Sequence, residues 1–120
     1  MTTAEMTTAD EISFEDFHKV QMHVGTVLTA EENTKARNPA YVITIDFGPV
    51  IGVKTSSAQI TERYTPEQLI GSQVIAVTNF PPKRVAGIKS EVLVLAGVCS
   101  ESGTTLLSLT HEVTNGTRVL

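Results

Sequence analysis

Residues 79–96 constrain this chain most, because they place a stiff, basic connection between two strand-forming runs. The preceding residues 73–78 are rich in β-branched side chains, and residues 92–95 form a continuous apolar run typical of a buried strand. The Pro81-Pro82 pair cannot donate backbone hydrogen bonds and ends the incoming strand, whereas Gly87 permits a turn with positive φ. We therefore predict a β-rich fold with a constrained basic loop that carries Lys83, Arg84 and Lys89.

The periodicity of the chain predicts five strands in a defined order. The expected strands are residues 22–30, 41–48, 50–54, 73–78 and 91–97. A helical connection is expected between the third and fourth strands, with helical character over residues 57–63 and a capped turn that begins at Thr65 and ends at Gly71. Three strands, a helix and two more strands is the order of the OB-fold. We predict an all-β, five-stranded Greek-key barrel of this type.

Both ends of the chain extend beyond such a barrel. Residues 1–11 lack apolar periodicity and are predicted to be a disordered lead, so that the OB-fold domain covers residues 12–120. Ser13 is a candidate N-cap for a short helix whose Phe14 and Phe17 are expected to join the core. At the other end, residues 104–109 predict a further strand in a C-terminal extension.

Length and composition point to one globular domain. The chain has 120 residues, 41% of them hydrophobic, and no apolar run near the ~20 residues that a membrane span needs. We expect no membrane insertion, no secretory signal and a cytoplasmic location. The one cysteine, Cys99, excludes a disulfide framework and is expected to be a buried structural thiol.

Charge is unevenly distributed along the chain. The formal net charge is −4, which disfavours a generic nucleic-acid binder. Residues 35–89 nevertheless contain seven basic and three acidic side chains, which makes them the candidate anion-facing part. Scattered solvated charges are the alternative interpretation.

Two segments carry a resemblance to a known family. Asn79-Phe80-Pro81-Pro82, followed by Gly87 to Leu93, resembles the signature of the EMAP II-like tRNA-binding domain, and residues 54–61 supply a second matching segment. The family is an OB-fold module that is appended to some aminoacyl-tRNA synthetases and also occurs alone. The variant here is most similar to free-standing members associated with protein export, over roughly residues 14–120.

The resemblance implies a binding surface of polar side chains from the matched segments. Its candidate residues, for tRNA or peptide, are Lys54, Ser56, Ser57, Gln59, Asn79, Lys83, Arg84, Lys89, Ser90 and Glu91. The alternative is that Asn79, Ser90 and Glu91 satisfy loop backbone, with Glu91 paired to Lys54 or Arg84. The aromatic side chains Tyr41, Tyr64 and Phe80 are possible stacking platforms.

The sequence contains no arrangement that indicates catalysis. The three histidines are widely separated, and no acid–base pair, phosphate loop or nucleotide fingerprint is present. We predict a non-enzymatic protein without cofactor or metal.

The resemblance leaves two functions open. The first is an export-related chaperone that binds unfolded or precursor proteins and works with the export machinery, and the second is a tRNA-binding protein. The tRNA-binding branch usually carries Gly-Met after the motif serine, where this chain has Glu91-Val92, so the sequence favours the chaperone. Relatives of both kinds pair through terminal segments, which implies a homodimer.

Overall fold

A curled antiparallel sheet forms the centre of the protein, which is described over residues 9–120 by a computed structural model. The helices are α1 (Phe14–His18), α2 (Gly48–Ile51) and α3 (Pro66–Leu69). The strands are β1 (Met22–Glu32), β2 (Tyr41–Asp46), β3 (Val53–Ala58), β4 (Gln73–Val77), β5 (Lys83–Val85), β6 (Ile88–Ser90), β7 (Leu93–Val94), β8 (Ala96–Cys99), β9 (Gly103–Leu106) and β10 (Arg118–Val119).

The strand order confirms the predicted OB-fold. The main sheet runs β3-β2-β1-β4-β7, with β10 paired to the beginning of β1. The eleven residues of β1 are enough for its first part to pair with β4 and its second part with β2. The strands β5 and β6 form a separate hairpin inserted between β4 and β7, and β8 and β9 form another after β7.

The core lies on the concave face of this sheet. Alternation along β2 turns Tyr41, Ile43 and Ile45 inward, and Phe47 is 1% exposed. Full burial of each large apolar side chain contributes roughly 1.5 to 3 kcal/mol. Gly25 allows β1 and β2 to approach, because a Cβ there would lie 2.6 Å from Ile45 Cγ2.

Local capping signals produce the two helices that the sequence predicted. The Thr65 hydroxyl accepts a hydrogen bond from the Gln68 amide while the Gln68 side chain accepts one from the Thr65 amide, a complete capping box with Pro66 at the first helical position. The Ser13 hydroxyl likewise accepts from the Asp16 amide at the start of α1.

Two element predictions are wrong. Residues 48–51 form α2 instead of starting the third strand, because Gly48 and Gly52 both have positive φ and turn the chain, leaving Val50 96% exposed. Residues 57–63 are not helical, since β3 continues to Ala58 and only a turn follows.

Three burial predictions are also wrong. In the apolar run 92–95 only Val92 is buried, and Leu93 is 50% exposed because the edge of the barrel is not covered there. Phe14 is 84% exposed on a helix too short to bury both of its phenylalanines, while Phe17 is half-buried. Cys99 is exposed because it ends β8 at the tip of a surface hairpin.

The predicted disordered lead, residues 1–11, falls mainly outside the described residues. Residues 9–13 precede α1 without regular structure. Within residues 9–120, no helix is both long and apolar enough to cross a membrane.

Candidate functional site

The β5–β6 hairpin, predicted only as a loop, is an amphipathic two-stranded ribbon. Its register pairs Lys83 with Ser90, Arg84 with Lys89 and Val85 with Ile88. Because side chains alternate along a strand, Arg84 and Lys89 share the exposed face, whereas Lys83, Val85 and Ser90 face the barrel side. The three predicted cations are therefore divided between two faces.

Arg84 and Lys89 form the basic face, a pair of like charges directly opposite each other. Such cross-strand pairs destabilise a sheet by a few tenths of a kcal/mol to about 1 kcal/mol. Within residues 9–120 the only salt bridges are those of Lys19 with Asp16 and of Lys54 with Glu91, so neither cation of the basic face has an acidic partner there. This arrangement is suited to an external anion.

A third cation approaches from the β1–β2 loop, residues 33–40. A Cβ on Gly87 would lie 3.2 Å from Lys35 Cδ and 3.6 Å from Lys35 Nζ, so the lysine side chain lies across the turn of the hairpin. The Asn33 side-chain amide donates to the carbonyl of Ala86 in the same turn at 3.4 Å. Lys35 therefore meets the hairpin at its turn, which connects the strands that carry Arg84 and Lys89.

The base of the hairpin joins β3 through one backbone hydrogen bond and two that involve side chains. The Glu91 amide donates to the Thr55 carbonyl at 2.8 Å, and the Thr55 amide donates back to the Glu91 carboxylate at 3.1 Å. The Ser57 amide donates to the Ser90 hydroxyl at 3.1 Å. These bonds close the barrel between β3 and β6.

Five of the ten predicted site residues lie at this seam: Lys54, Ser56, Ser57, Ser90 and Glu91. Lys54 Nζ lies 3.8 Å from a carboxylate oxygen of Glu91, which is one of the two ion pairs expected for Glu91, and the buried Ser56 hydroxyl donates to the Val92 carbonyl. The side chains of Ser56, Ser90 and Glu91 therefore bond to the chain itself. Gln59 lies farther along, in the groove described below.

Asn79 lies apart from the other candidates. Its side chain accepts from the Gln21 amide at 3.0 Å and donates to the Lys19 carbonyl at 2.7 Å, which ties the end of β4 to the residues after α1. The structure therefore places it at the junction with the N-terminal helix.

An apolar groove runs along the uncovered barrel edge. Two adjoining depressions of about 460 and 390 Å³ share Ser57 and Leu93. Their exposed apolar side chains are Phe80, Leu93 and Val98, at 52%, 50% and 84% exposure. Lys83 stands at the rim of the larger depression and Gln59 lines the smaller one.

Of the three candidate stacking residues, only Phe80 is available. Tyr41 is 5% exposed, and its hydroxyl donates to the Tyr64 carbonyl. The Tyr64 hydroxyl in turn accepts from the Leu106 amide. Tyr41 and Tyr64 therefore have structural roles.

Sequence reasoning missed Lys35 and Asn33 as members of the site, and it missed the groove. The excess of basic residues over positions 35–89 included Lys35 but did not indicate which cations meet. The apolar run at residues 92–95, which lines the groove, was misleading because a fully buried strand would have the same composition.

Two titratable groups within residues 9–120 have shifted pKa values. Hydrogen bonds from the side chain and backbone of Ser102 lower the pKa of Cys99 to about 7. Partial burial, and then the positive charge of Arg118, lower the pKa of His23, whose Nδ1 lies 2.9 Å from the Thr78 hydroxyl. Among the described residues, His, Cys, Asp and Glu side chains form no group of three that could hold a metal.

Comparison with solved structures supports the OB-fold over 92% of this chain. The chain is 54% identical to the chaperone CsaA of Bacillus anthracis, with a TM-score of 0.87 over 92% of this chain and 100% of that one. For the CsaA chaperone protein of Picrophilus torridus the identity is 40% and the TM-score 0.86, with the same coverage.

Curated relatives include much larger enzymes. The methionine–tRNA ligase of Porphyromonas gingivalis strain ATCC 33277 is 36% identical over 111 residues, which are 92% of this chain and 16% of the ligase. The chain thus spans only a small part of the ligases that it matches.

The family profile described as "putative tRNA binding domain" matches residues 22–118, which include the hairpin, the seam and the β1–β2 loop. This chain belongs to that tRNA-binding domain family and is CsaA-like within it.

Proposed function

We propose that this chain binds tRNA, with the phosphate backbone held by the basic surface of Lys35, Arg84 and Lys89. The observation that carries the proposal is the cross-strand pairing of Arg84 with Lys89, without an acidic partner in residues 9–120. A phosphate group between the two side chains would relieve their repulsion. Family membership supports the same ligand class.

The overall acidity of the chain is compatible with this proposal because charge is unevenly distributed along the sequence. Residues 35–89 contain seven basic and three acidic side chains, while Glu31 and Glu32 end β1 just before the β1–β2 loop. Local charge at the site decides whether a polyanion binds, and a net negative charge mainly weakens long-range attraction at low salt.

A titration against unfractionated tRNA at several salt concentrations tests the proposal. Binding through phosphates should weaken steeply as salt rises, with a slope of about 0.7 to 0.9 per contact in a plot of log affinity against log salt. Absence of binding at about 50 mM salt, or binding that is independent of salt, would refute it.

A polypeptide client is the second candidate, favoured by the apolar groove and by the likeness to the CsaA chaperones. An extended apolar segment could cover Phe80, Leu93 and Val98, which are unusually exposed for large apolar side chains. The proposed clients are unfolded or precursor proteins, with the export machinery as a further partner.

The groove residues allow the two functions to be separated. Changing Leu93→Ser should weaken binding of a reduced, unfolded client while leaving tRNA affinity unchanged, and client binding should depend little on salt. Val53→Ser is the matched control, because Val53 is similarly exposed, at 54%, but lies outside the groove. Equal client binding by both variants would exclude the groove as the client-binding site.

We further propose a non-enzymatic, cytoplasmic homodimer. Its interface would use the exposed apolar side chains at the two ends of the chain, Phe14 and Leu120, at 84% and 77% exposure. The ends are held together by the Arg118 guanidinium, which donates to the His18 carbonyl at 3.1 Å.

A further inference from the structure

The tip of the β5–β6 hairpin has one side-chain hydrogen bond of its own, a long one of 3.4 Å from the Arg84 guanidinium to the Gly87 carbonyl. The base is tied to β3 through Glu91 and Ser90, but a two-stranded hairpin alone is at best marginally stable in water. At the tip, the contacts to the rest of the protein come from Asn33 and Lys35 of the β1–β2 loop.

The side chain of Asn33 makes hydrogen bonds both within the β1–β2 loop and to the hairpin tip. Its side-chain Oδ1 accepts from the Lys35 backbone amide at 3.1 Å, which fixes the backbone at Lys35, and its side-chain Nδ2 donates to the Ala86 carbonyl at 3.4 Å. One side chain therefore sets both the position of the lysine and the position of the turn.

The turn itself is held in a demanding conformation. Ala86 has a φ of 47° and Gly87 a φ of 84°, and a residue with a Cβ rarely adopts the first of these without support. The missing Cβ of Gly87 leaves the space in which the Lys35 side chain lies. The contact between Lys35 and the hairpin turn thus depends on the conformation of the turn as well as on the β1–β2 loop.

We propose that Asn33 is a positioning residue for polyanion binding, which holds the β1–β2 loop against the hairpin tip so that Lys35 joins Arg84 and Lys89 on one phosphate-binding surface. The inference rests on the proposed tRNA function and adds to it. It assigns the ligand a phosphate contact at the loop as well as at the hairpin.

Asn33→Asp and Asn38→Asp form a matched pair for the test. Both add one negative charge to the same loop, but Asn33→Asp keeps only the acceptor for the Lys35 amide and removes the donor to Ala86. Asn38 is exposed and, among the described residues, its side chain has no hydrogen bond to the hairpin. Unfractionated tRNA is the probe, and melting temperatures report any loss of fold.

We expect Asn33→Asp to weaken binding at 0.1 M salt about sixfold more than Asn38→Asp, and to flatten the salt slope by about 0.7 to 0.9, the value for one phosphate contact. In a Lys35→Ala background, adding Asn33→Asp should cause no further flattening. If Asn33→Asp lowers the melting temperature too far for a titration, Asn33→Ala tests the same contact without an added charge, with Asn38→Ala as its control.

The outcomes separate this inference from the function it rests on. Failure of the unaltered protein to bind tRNA refutes the proposed function, and this inference with it. Normal binding by the unaltered protein, with equal affinity and slope for the Asn33 and Asn38 variants, overturns the inference alone. A lower melting temperature for Asn33→Asp with an unchanged slope would also overturn it, because that is the signature of a structural role.

Discussion

Removal of the basic face should abolish much of the tRNA affinity without harming the fold. In the double variant Arg84→Ala/Lys89→Ala, two cations disappear that face each other on an exposed ribbon and have no acidic partner within residues 9–120. Removal of the opposed like charges stabilises the hairpin, and loss of the long hydrogen bond from Arg84 to the Gly87 carbonyl offsets part of this gain, so we expect the free energy of unfolding to change by less than about 1 kcal/mol.

The loss of affinity follows from counterion release. Two lost phosphate contacts should flatten the salt slope by about 1.4 to 1.8, and if their contribution vanishes near 1 M salt this corresponds to roughly 25- to 60-fold weaker binding at 0.1 M. Fluorescence anisotropy with labelled tRNA at four or five salt concentrations would measure both quantities, and urea denaturation would measure stability.

Lys19→Ala is the control for the loss of a positive charge by itself. Lys19 is exposed, pairs with Asp16 and directly follows α1, so its removal should change neither the tRNA affinity nor the salt slope measurably. If the double variant binds tRNA with unchanged slope and affinity, the basic face does not bind phosphate. A loss of affinity with an unchanged salt slope would mean that the two side chains contact parts of the tRNA other than its phosphates.

Three further properties can be tested on the same preparation. Light scattering should report about twice the 12.9 kDa of one chain at micromolar concentration, and Phe14→Glu should give the monomer; a monomeric unaltered protein would contradict the homodimer. The pKa of His23 is lowered in the folded state, so the unfolded state binds the proton first and the free energy of unfolding should fall as the pH drops below about 6.5. Urea denaturation at pH 5.5 and 7.5 should show a smaller fall for His23→Asn than for the unaltered protein. Identical pH dependence in both proteins would count against this role of His23. Alkylation of Cys99 by iodoacetamide should reach half its maximal rate near pH 7, and Ser102→Ala should move this midpoint upward; an unmoved midpoint would show that Ser102 does not stabilise the thiolate.

Short-range signals in the sequence were sufficient for the barrel. Alternation predicted β2 and the burial of Phe47, and the cap at Thr65 with Pro66 predicted α3 between the third and fourth strands. These signals act within one or two turns of chain, so they can be read without knowledge of the rest of the molecule. The errors at residues 48–51 and 57–63 arose where β-branched or polar composition competed with glycine turns and a continuing strand.

The candidate site was predictable only in part. The motif residues marked the seam between β3 and β6, and the Lys54–Glu91 pair was among the expected alternatives. The groove was not predictable, because an apolar run has the same composition whether the next strand covers it or leaves it open, as at Leu93.

Sequence alone determined which residues carry charge and which segments form strands, because both are properties of single residues and their near neighbours. Tertiary structure decided which charges act together. The turn at Ala86 lacks the Asn-Gly or Gly-Gly signal of a two-residue hairpin, so the opposition of Arg84 and Lys89 became visible only in the folded register. Asn33 and Ala86 are 53 positions apart in the chain, and no local rule could bring them into contact. Closure of the barrel brings their loops to the same end of the molecule, and Lys35 reaches the hairpin because of that long-range packing.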